Sequence, residues 1–187
     1  MRAILICGYK EVALGPLGVE KNANGQTIID LQIARLQQLG FEVVCVLSGL
    51  QADDQLRNSP SIADCELAFD TNDTTSLMTN IKAGLAATDG EGCFVLPLEV
   101  PCPDAIVWNH IREHWRRIGF HTATSILQIL DNQGALWQRG FPILITRHGN
   151  HQFRTLENLH SLIDARLEYQ HLEFSPGLDL DSFANAL

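Results

Sequence analysis

Hydrophobic positions along the chain follow two alternating patterns. Three short runs are almost continuously apolar: Ala3-Ile4-Leu5-Ile6-Cys7, Phe41 to Leu47, and Cys93-Phe94-Val95-Leu96. They are bounded by Gly8, Gly40 and Pro97, as strands buried on both faces of a parallel sheet would be. Between the runs, apolar residues recur along one helix face. Ile29, Ile33 and Leu36 do so within Gln26 to Leu39, and Leu77, Ile81 and Leu85 within Ser76 to Ala87. Val107, Ile111, Trp115 and Ile118 mark a third helix that stops at Gly119.

Weaker signals complete the order. Glu66 to Phe69 predicts a third, shorter strand, with a short helix before it near Ala52 to Arg57. Ser125 to Leu130 and Ala135 to Gln138 predict a hairpin across the turn Asp131-Asn132-Gln133-Gly134. A helix around Leu156 to Arg166 and a last strand around Glu168 to Phe174 close the chain. Strand and helix in alternation predict an α/β fold: one domain over residues 1–187, three layers α/β/α, with a mostly parallel Rossmann-like sheet. Ligands of such sheets sit beyond the carboxyl ends of the strands. That singles out the aperiodic Gly8 to Gly25 segment, with Gly15, Pro16, Gly18 and Asn22-Ala23-Asn24-Gly25, and the Pro97 to Pro103 loop.

Composition narrows the choice of ligand. Twenty-two acidic against 13 basic residues give a formal net charge of −9, which leaves no broad basic face for nucleic acid or an anionic membrane. A hydrophobic share of 45% is that of a folding chain, not of a disordered one. Cys7, Cys45, Cys65, Cys93 and Cys102 are odd in number, lack Cys-x-x-Cys spacing and sit mostly in apolar runs, as in a reduced cytoplasmic protein. After Met1-Arg2 only Ala3 to Cys7 is apolar, too short for a signal core and far short of the roughly 20 residues of a membrane span.

The first loop carries no G-x-G-x-x-G, no G-x-x-x-x-G-K-[ST] and no Gly-x-Ser-x-Gly, so the usual loop chemistry of dinucleotide binding, of a P-loop and of a hydrolase elbow is missing. What it has is a buried strand Ile4-Leu5-Ile6-Cys7-Gly8, a long segment with Lys10 and Lys21, and Gly25-Gln26-Thr27-Ile28-Ile29-Asp30 opening a helix. Further on stand Ser76-Leu77-Met78-Thr79-Asn80-Ile81-Lys82-Ala83-Gly84-Leu85, Val95-Leu96-Pro97-Leu98-Glu99-Val100-Pro101, Arg139-Gly140-Phe141-Pro142-Ile143-Leu144 and Leu178-Asp179-Leu180-Asp181. In this order the segments resemble the nucleotidyltransferases of the molybdenum cofactor and sugar-nucleotide type.

The resemblance implies the nucleotide-diphospho-sugar transferase fold. It also implies Mg²⁺-dependent transfer of a nucleotidyl group from CTP or GTP to a phosphorylated acceptor such as molybdopterin, with release of pyrophosphate. Attack on the α-phosphorus needs charge gathered around a metal and neutralised on the leaving group. By the same resemblance Glu99 stands at the metal-binding acid, and Lys21 and Lys82 are catalytic cations. Cys7, Gly8, Lys10 and Gly15 form the phosphate loop, and Ser76, Asn80 and Arg139 contact the nucleotide. The chain departs from the pattern: Val12-Ala13 stands near the loop Arg-Met, Glu99 replaces Asp, Phe141 replaces His and Asn80 replaces Ser. These departures leave two other readings open, a diverged nucleotide- or phosphosugar-binding protein without transfer activity and an assembly subunit without ligand.

Remaining candidates read as structural. His110 and His114 are one helical turn apart but have no evident third metal ligand. His148 and His151 fall in a Gly-Asn segment expected to be a surface loop, and Trp108, Trp115 and Trp137 are expected to pack. Asp64, Asp70 and Asp73 read as solvated loop acids, the exposure usual for Asp, with a nucleotide contact by Asp70 as the sharper alternative. Asp179 and Asp181 suit a strand-to-helix cap.

Overall fold

The protein is described by a computed structural model that covers residues 1–7, 21, 23–48, 56, 58–71, 76–98, 100, 102–118, 124–130, 136–156 and 169–174. Its strands are β1 (Arg2–Ile6), β2 (Glu42–Ser48), β3 (Glu66–Asp70), β4 (Cys93–Pro97), β5 (Thr124–Leu130), β6 (Leu136–Ile145) and β7 (Tyr169–Phe174). They form one seven-stranded sheet in the order β3-β2-β1-β4-β6-β5-β7. All run the same way except β6, which is antiparallel to both β4 and β5.

Four helices belong to this sheet among the described residues: α1 (Ile28–Gln38), α2 (Leu77–Ala87), α3 (Ala105–Ile118) and α4 (Arg147–Phe153). Side chains of β1 alternate between two separate cores, as the two-residue period of a strand requires. Ala3 and Leu5 pack with Ile29, Ile33 and Leu36 of α1 and Val107, Trp108 and Ile111 of α3. Ile4 and Ile6 pack on the other face with Met78, Ile81 and Leu85 of α2 and Phe153 of α4. Each such Leu or Ile buried from water contributes about 1.5–3 kcal/mol, which is why the apolar stripes form helices on both faces. The first core is finished by Phe41, Phe94 and Trp108, with ring centroids 4.7–5.6 Å apart.

Local chemistry fixes where the helices begin. Thr27 and Asp30 form a reciprocal cap at the start of α1, Ser76 and Thr79 do the same for α2, and the Thr146 hydroxyl accepts from Gly149 N–H at α4. Gly40, after α1, adopts φ +79°, a left-handed stop. Gly84 lets α2 lie close on the sheet: a Cβ there would sit 2.5 Å from Ile4 Cγ2 and 2.9 Å from Val46 Cγ2.

Two expectations are corrected. The segment around His148 and His151 is helix α4, not a loop, because Thr146 caps it and Phe153 anchors it in the core, although both histidines are exposed as expected. The strand predicted to end at Gln138 continues as β6 to Ile145. Its hydrophobic period is interrupted at Gly140 and Pro142, where the pairing shifts from Ile126↔Ile143 to Leu127↔Gly140. Pro142 has no N–H to donate, and the irregularity lets the ladder pass it. The short 3₁₀ helix Pro60–Asp64 has no counterpart among the expected elements. Most of the Ala52 to Arg57 helix, residues 157–166, the 131–135 turn, Asp73, Asp179 and Asp181 lie outside the described residues, as do the side chains of His110, His114, Trp115 and Trp137.

Candidate functional site

The parallel strands deliver their carboxyl ends to one edge of the sheet. β1 leads into Cys7, whose N–H bonds to Val46 O at 2.9 Å; β2 and β3 end opposite each other at Ser48 and Asp70; β4 ends at Pro97. Residue numbers in β6 fall toward the same edge, since Cys93 pairs with Ile145 and Val95 with Ile143. Arg139 therefore lies on the carboxyl side of the last β4–β6 pair, opposite Gln128 of β5.

After β4 the chain enters the loop that carries Glu99. The loop is gripped from α1 by Gln32, whose amide donates to Leu98 O at 3.3 Å and Val100 O at 2.9 Å and whose Oε1 accepts from Cys102 N–H at 3.1 Å. Leu98 N–H also bonds to Ile6 O at 2.9 Å. Glu99 itself lies outside the described residues, but the backbone on both sides of it is fixed to α1 and β1. Arg35, one turn after Gln32, forms an ion pair with Asp104 at the far end of the loop.

A second group forms where β3 meets the start of α2. Asp70 is buried, contrary to the solvated reading, and accepts a hydrogen bond from the Thr79 hydroxyl. It is the last residue of β3, and α2 packs over it. Ser76 Oγ accepts from Thr79 N–H at 3.2 Å. Asn80 Nδ2 donates to Ser76 O at 2.9 Å, whereas its Oδ1, fully buried, has no partner among the described residues. A buried acceptor without a donor costs about 1–3 kcal/mol, so Asn80 Oδ1 is suited to accept from a ligand N–H or O–H. Lys82 is half-buried one turn beyond Thr79 in α2.

Two further predicted residues, Lys21 and Cys7, are described. Lys21 is exposed, and its backbone bridges Thr27 at the cap of α1, which brings the end of the first loop to that helix. The Cys7 thiol is buried and faces Leu5 O at 3.7 Å, and its N–H is given to Val46 O. Gly8, Lys10 and Gly15 lie outside the described residues. Burial pushes the thiol of Cys102 up, and that of Cys93 up to about 12, against the pull of Arg2; both remain protonated and inert at neutral pH.

Sequence reasoning missed Gln32 and Thr79. Gln32 stands among Ile29, Ile33 and Leu36 on the inward face of α1, and a polar residue within an apolar stripe was the available signal. It missed the role of Asp30 as well. Burial raises the Asp30 carboxyl, but hydrogen bonds from the Thr27 N–H (3.0 Å), the Thr27 hydroxyl (2.8 Å) and the Ser61 N–H (3.2 Å) outweigh it and hold the group below its usual range. Asp30 is thus the anchor of the α1 N-terminus.

Residues 21–164 match the family model described as MobA-like NTP transferase domain. The chain belongs to that family of nucleotidyltransferases. Its fold is similar to that of the Rv0371c homolog from Mycobacterium sp. strain JC1, with TM-score 0.71 and 14% identity over 96% of this chain and 88% of that one. Rv0371c of Mycobacterium tuberculosis in complex with manganese gives 0.65 and 14% over 96% and 90%. CMP:2-keto-3-deoxy-manno-octonic acid synthetase complexed with CTP gives 0.67 and 13% over 99% and 96%. No curated protein sequence matches the chain. Among the described residues no helix is long and apolar enough to cross a membrane.

Proposed function

We propose that this chain, acting as one domain over residues 1–187, transfers a nucleotidyl group from CTP or GTP to a phosphorylated acceptor of the molybdopterin type and releases pyrophosphate. Membership of the MobA-like NTP transferase domain family supports the reaction class. The observation that carries the reading to this chain's own residues is the Gln32 grip on the Glu99 loop. A reaction that develops charge on phosphate oxygens needs its acid held within a fraction of an ångström, and this loop has that support.

In this reading Glu99 is the metal ligand, and Cys7, Gly8, Lys10 and Gly15 hold the triphosphate through main chain and charge. Asp70, Ser76, Asn80 and Arg139 hold the nucleoside, and Lys21 and Lys82 face the phosphates. The donors suit Mg²⁺: hard cations take oxygen, and Mg²⁺ is commonly held by one or two carboxylates together with substrate phosphates, which does not require a cage of protein ligands. Mg²⁺ bound at Glu99 supplies charge neutralisation on the phosphates. The chain's part is to orient: Gln32 fixes the acid's loop, and the Asp70–Thr79–Ser76 network fixes the start of α2. The reduced thiols and the lack of a spanning helix among the described residues favour a cytoplasmic setting.

The test is pyrophosphate release with CTP, GTP, ATP and UTP, with and without Mg²⁺, alongside thermal stabilisation by each. The expected result is metal-dependent stabilisation by one triphosphate, with turnover lost in Glu99→Ala. Turnover retained in that variant removes Glu99 from the reaction. Stabilisation by a nucleotide with background pyrophosphate release favours the diverged binding protein, for which the exchange of His for Phe141 and of Ser for Asn80 speaks. Absence of stabilisation by every triphosphate leaves the assembly subunit.

A further inference from the structure

The opposite edge of the sheet carries a cavity. It has a volume of about 460 Å³ and lies between the turn that follows α2 and helix α4. Both elements stand at the amino ends of the parallel strands: Gly90 comes three residues before Cys93, the first residue of β4, and Ile145, paired with Cys93, leads directly into α4. The cavity is therefore separated by the length of the strands from the carboxyl edge where Asp70, Asn80 and the Glu99 loop are placed.

Its walls are polar, with two arginines and a histidine against one carboxylate. Arg147, His151 and Arg154 follow at i, i+4 and i+7, one face of a helical stretch, and all three line it. Arg154 is fixed: its Nε donates to Asn150 Oδ1 at 3.1 Å and its NH2 group to Leu85 O at 3.3 Å, at the end of α2. Asn150 is buried and ties α4 to the turn, its Nδ2 donating to Thr88 Oγ1 at 3.1 Å and Glu91 O at 3.2 Å. The guanidinium thus keeps three N–H donors in a fixed orientation. Among the described residues no carboxylate is within ion-pair distance of Arg147 or Arg154. Across the cavity stand Asp89 and Gly90, with φ +52° and +80°.

Paired arginines are the usual answer to a planar or tetrahedral oxyanion, because each offers several N–H donors and a charge that does not titrate away. Among the described residues neither has an acid partner, so both keep N–H donors for an anion. The Asp89 carboxylate opposite them is an acceptor for a hydroxyl or amino group. We propose that this cavity is a second binding site, separate from the nucleotide site, for a small molecule that bears a phosphate or carboxylate held by Arg147, His151 and Arg154 and a hydrogen-bond donor that faces Asp89. It fits a compound of the size of a phosphorylated sugar.

The experiment is a ¹H–¹⁵N titration of the full chain with inorganic phosphate and, separately, with acetate. The expected result is saturable shifts of the amides of Asp89, Gly90 and residues 147–154, with phosphate affinity at least tenfold weaker in Arg147→Glu and several-fold weaker in His151→Ala. Both substitutions are at exposed positions, so the fold is retained. Shifts with phosphate alone assign the site to phosphate esters; shifts with both probes assign it to oxyanions generally. Phosphate shifts confined to Cys7 and residues 76–82, or equal affinity in wild type and Arg147→Glu, overturn the site. None of these readings depends on transfer activity.

Discussion

Gln32 Oε1 accepts the backbone N–H of Cys102 at 3.1 Å, while the amide of the same side chain donates to Leu98 O and Val100 O. One buried carboxamide on α1 thereby sets the path of the loop that bears Glu99. Gln32→Leu preserves the volume but leaves two carbonyls and a buried N–H without their partner, at about 1–3 kcal/mol per unsatisfied group. A loop displaced by about 1 Å costs on the order of 10²-fold in rate. Gln32→Leu is therefore expected to lower kcat for pyrophosphate release by ten- to a hundredfold with a smaller change in nucleotide KM. An unchanged kcat in a variant that still folds would remove Gln32 from the positioning role.

Asn80 offers a different balance. Replacing it with Ala removes the bond to Ser76 O, worth about 0.5–1.5 kcal/mol, but also removes a buried acceptor that has no donor among the described residues. Stability should change by less than about 1 kcal/mol, while affinity for the preferred triphosphate weakens several-fold. Denaturant unfolding and nucleotide titration of the same variant decide it. A large loss of stability with unaltered affinity would mean that Asn80 serves the fold alone.

Gly84 tests the packing of α2. Ala is the better helix former by about 1 kcal/mol, but its methyl would meet Ile4 Cγ2 at 2.5 Å and Val46 Cγ2 at 2.9 Å. Both neighbours are β-branched and stiff at χ1, so the helix must move outward, and overpacking of this kind costs about 1–3 kcal/mol. Gly84→Ala is expected to destabilise the protein in urea, and Val46→Ala in the same chain to recover part of the loss. A more stable Gly84→Ala would show that α2 yields without strain.

The strands β1, β2 and β4 and the three longer helices were legible because each buries apolar side chains in a continuous run or along one face. The stripe of α1 and the run Ala3 to Cys7 need no tertiary information. α4 was not legible: at seven residues it has too few turns to show a period, and it exists because Thr146 caps it and Phe153 is buried. β6 was obscured by Pro142, whose place in a bulge depends on the partner strand. At the site, motif order singled out Ser76 and Asn80 at the start of α2, yet the burial of Asp70 follows from α2 lying over β3, a relation between segments. Gln32 was hidden for the same reason, since its partners are about 70 residues away in sequence.

The Asp30 carboxylate links the α1 cap to acid stability. Its folded value is lowered from 3.8, so the folded state binds this proton less readily than the unfolded chain does. The stabilisation is complete above pH about 4 and is lost as pH falls through the lowered folded value. Asp30→Asn keeps the shape but removes the charge that Thr27 and Ser61 N–H groups address, with an expected loss of about 2 kcal/mol at pH 7, in the range for hydrogen bonds to a charged group. The difference between wild type and variant should shrink steadily below pH 4, because a protonated carboxyl and a carboxamide at this position make similar bonds. Urea midpoints from pH 7 to pH 2.5 measure it, and a difference that stays constant across that range would mean that the cap owes nothing to the charge.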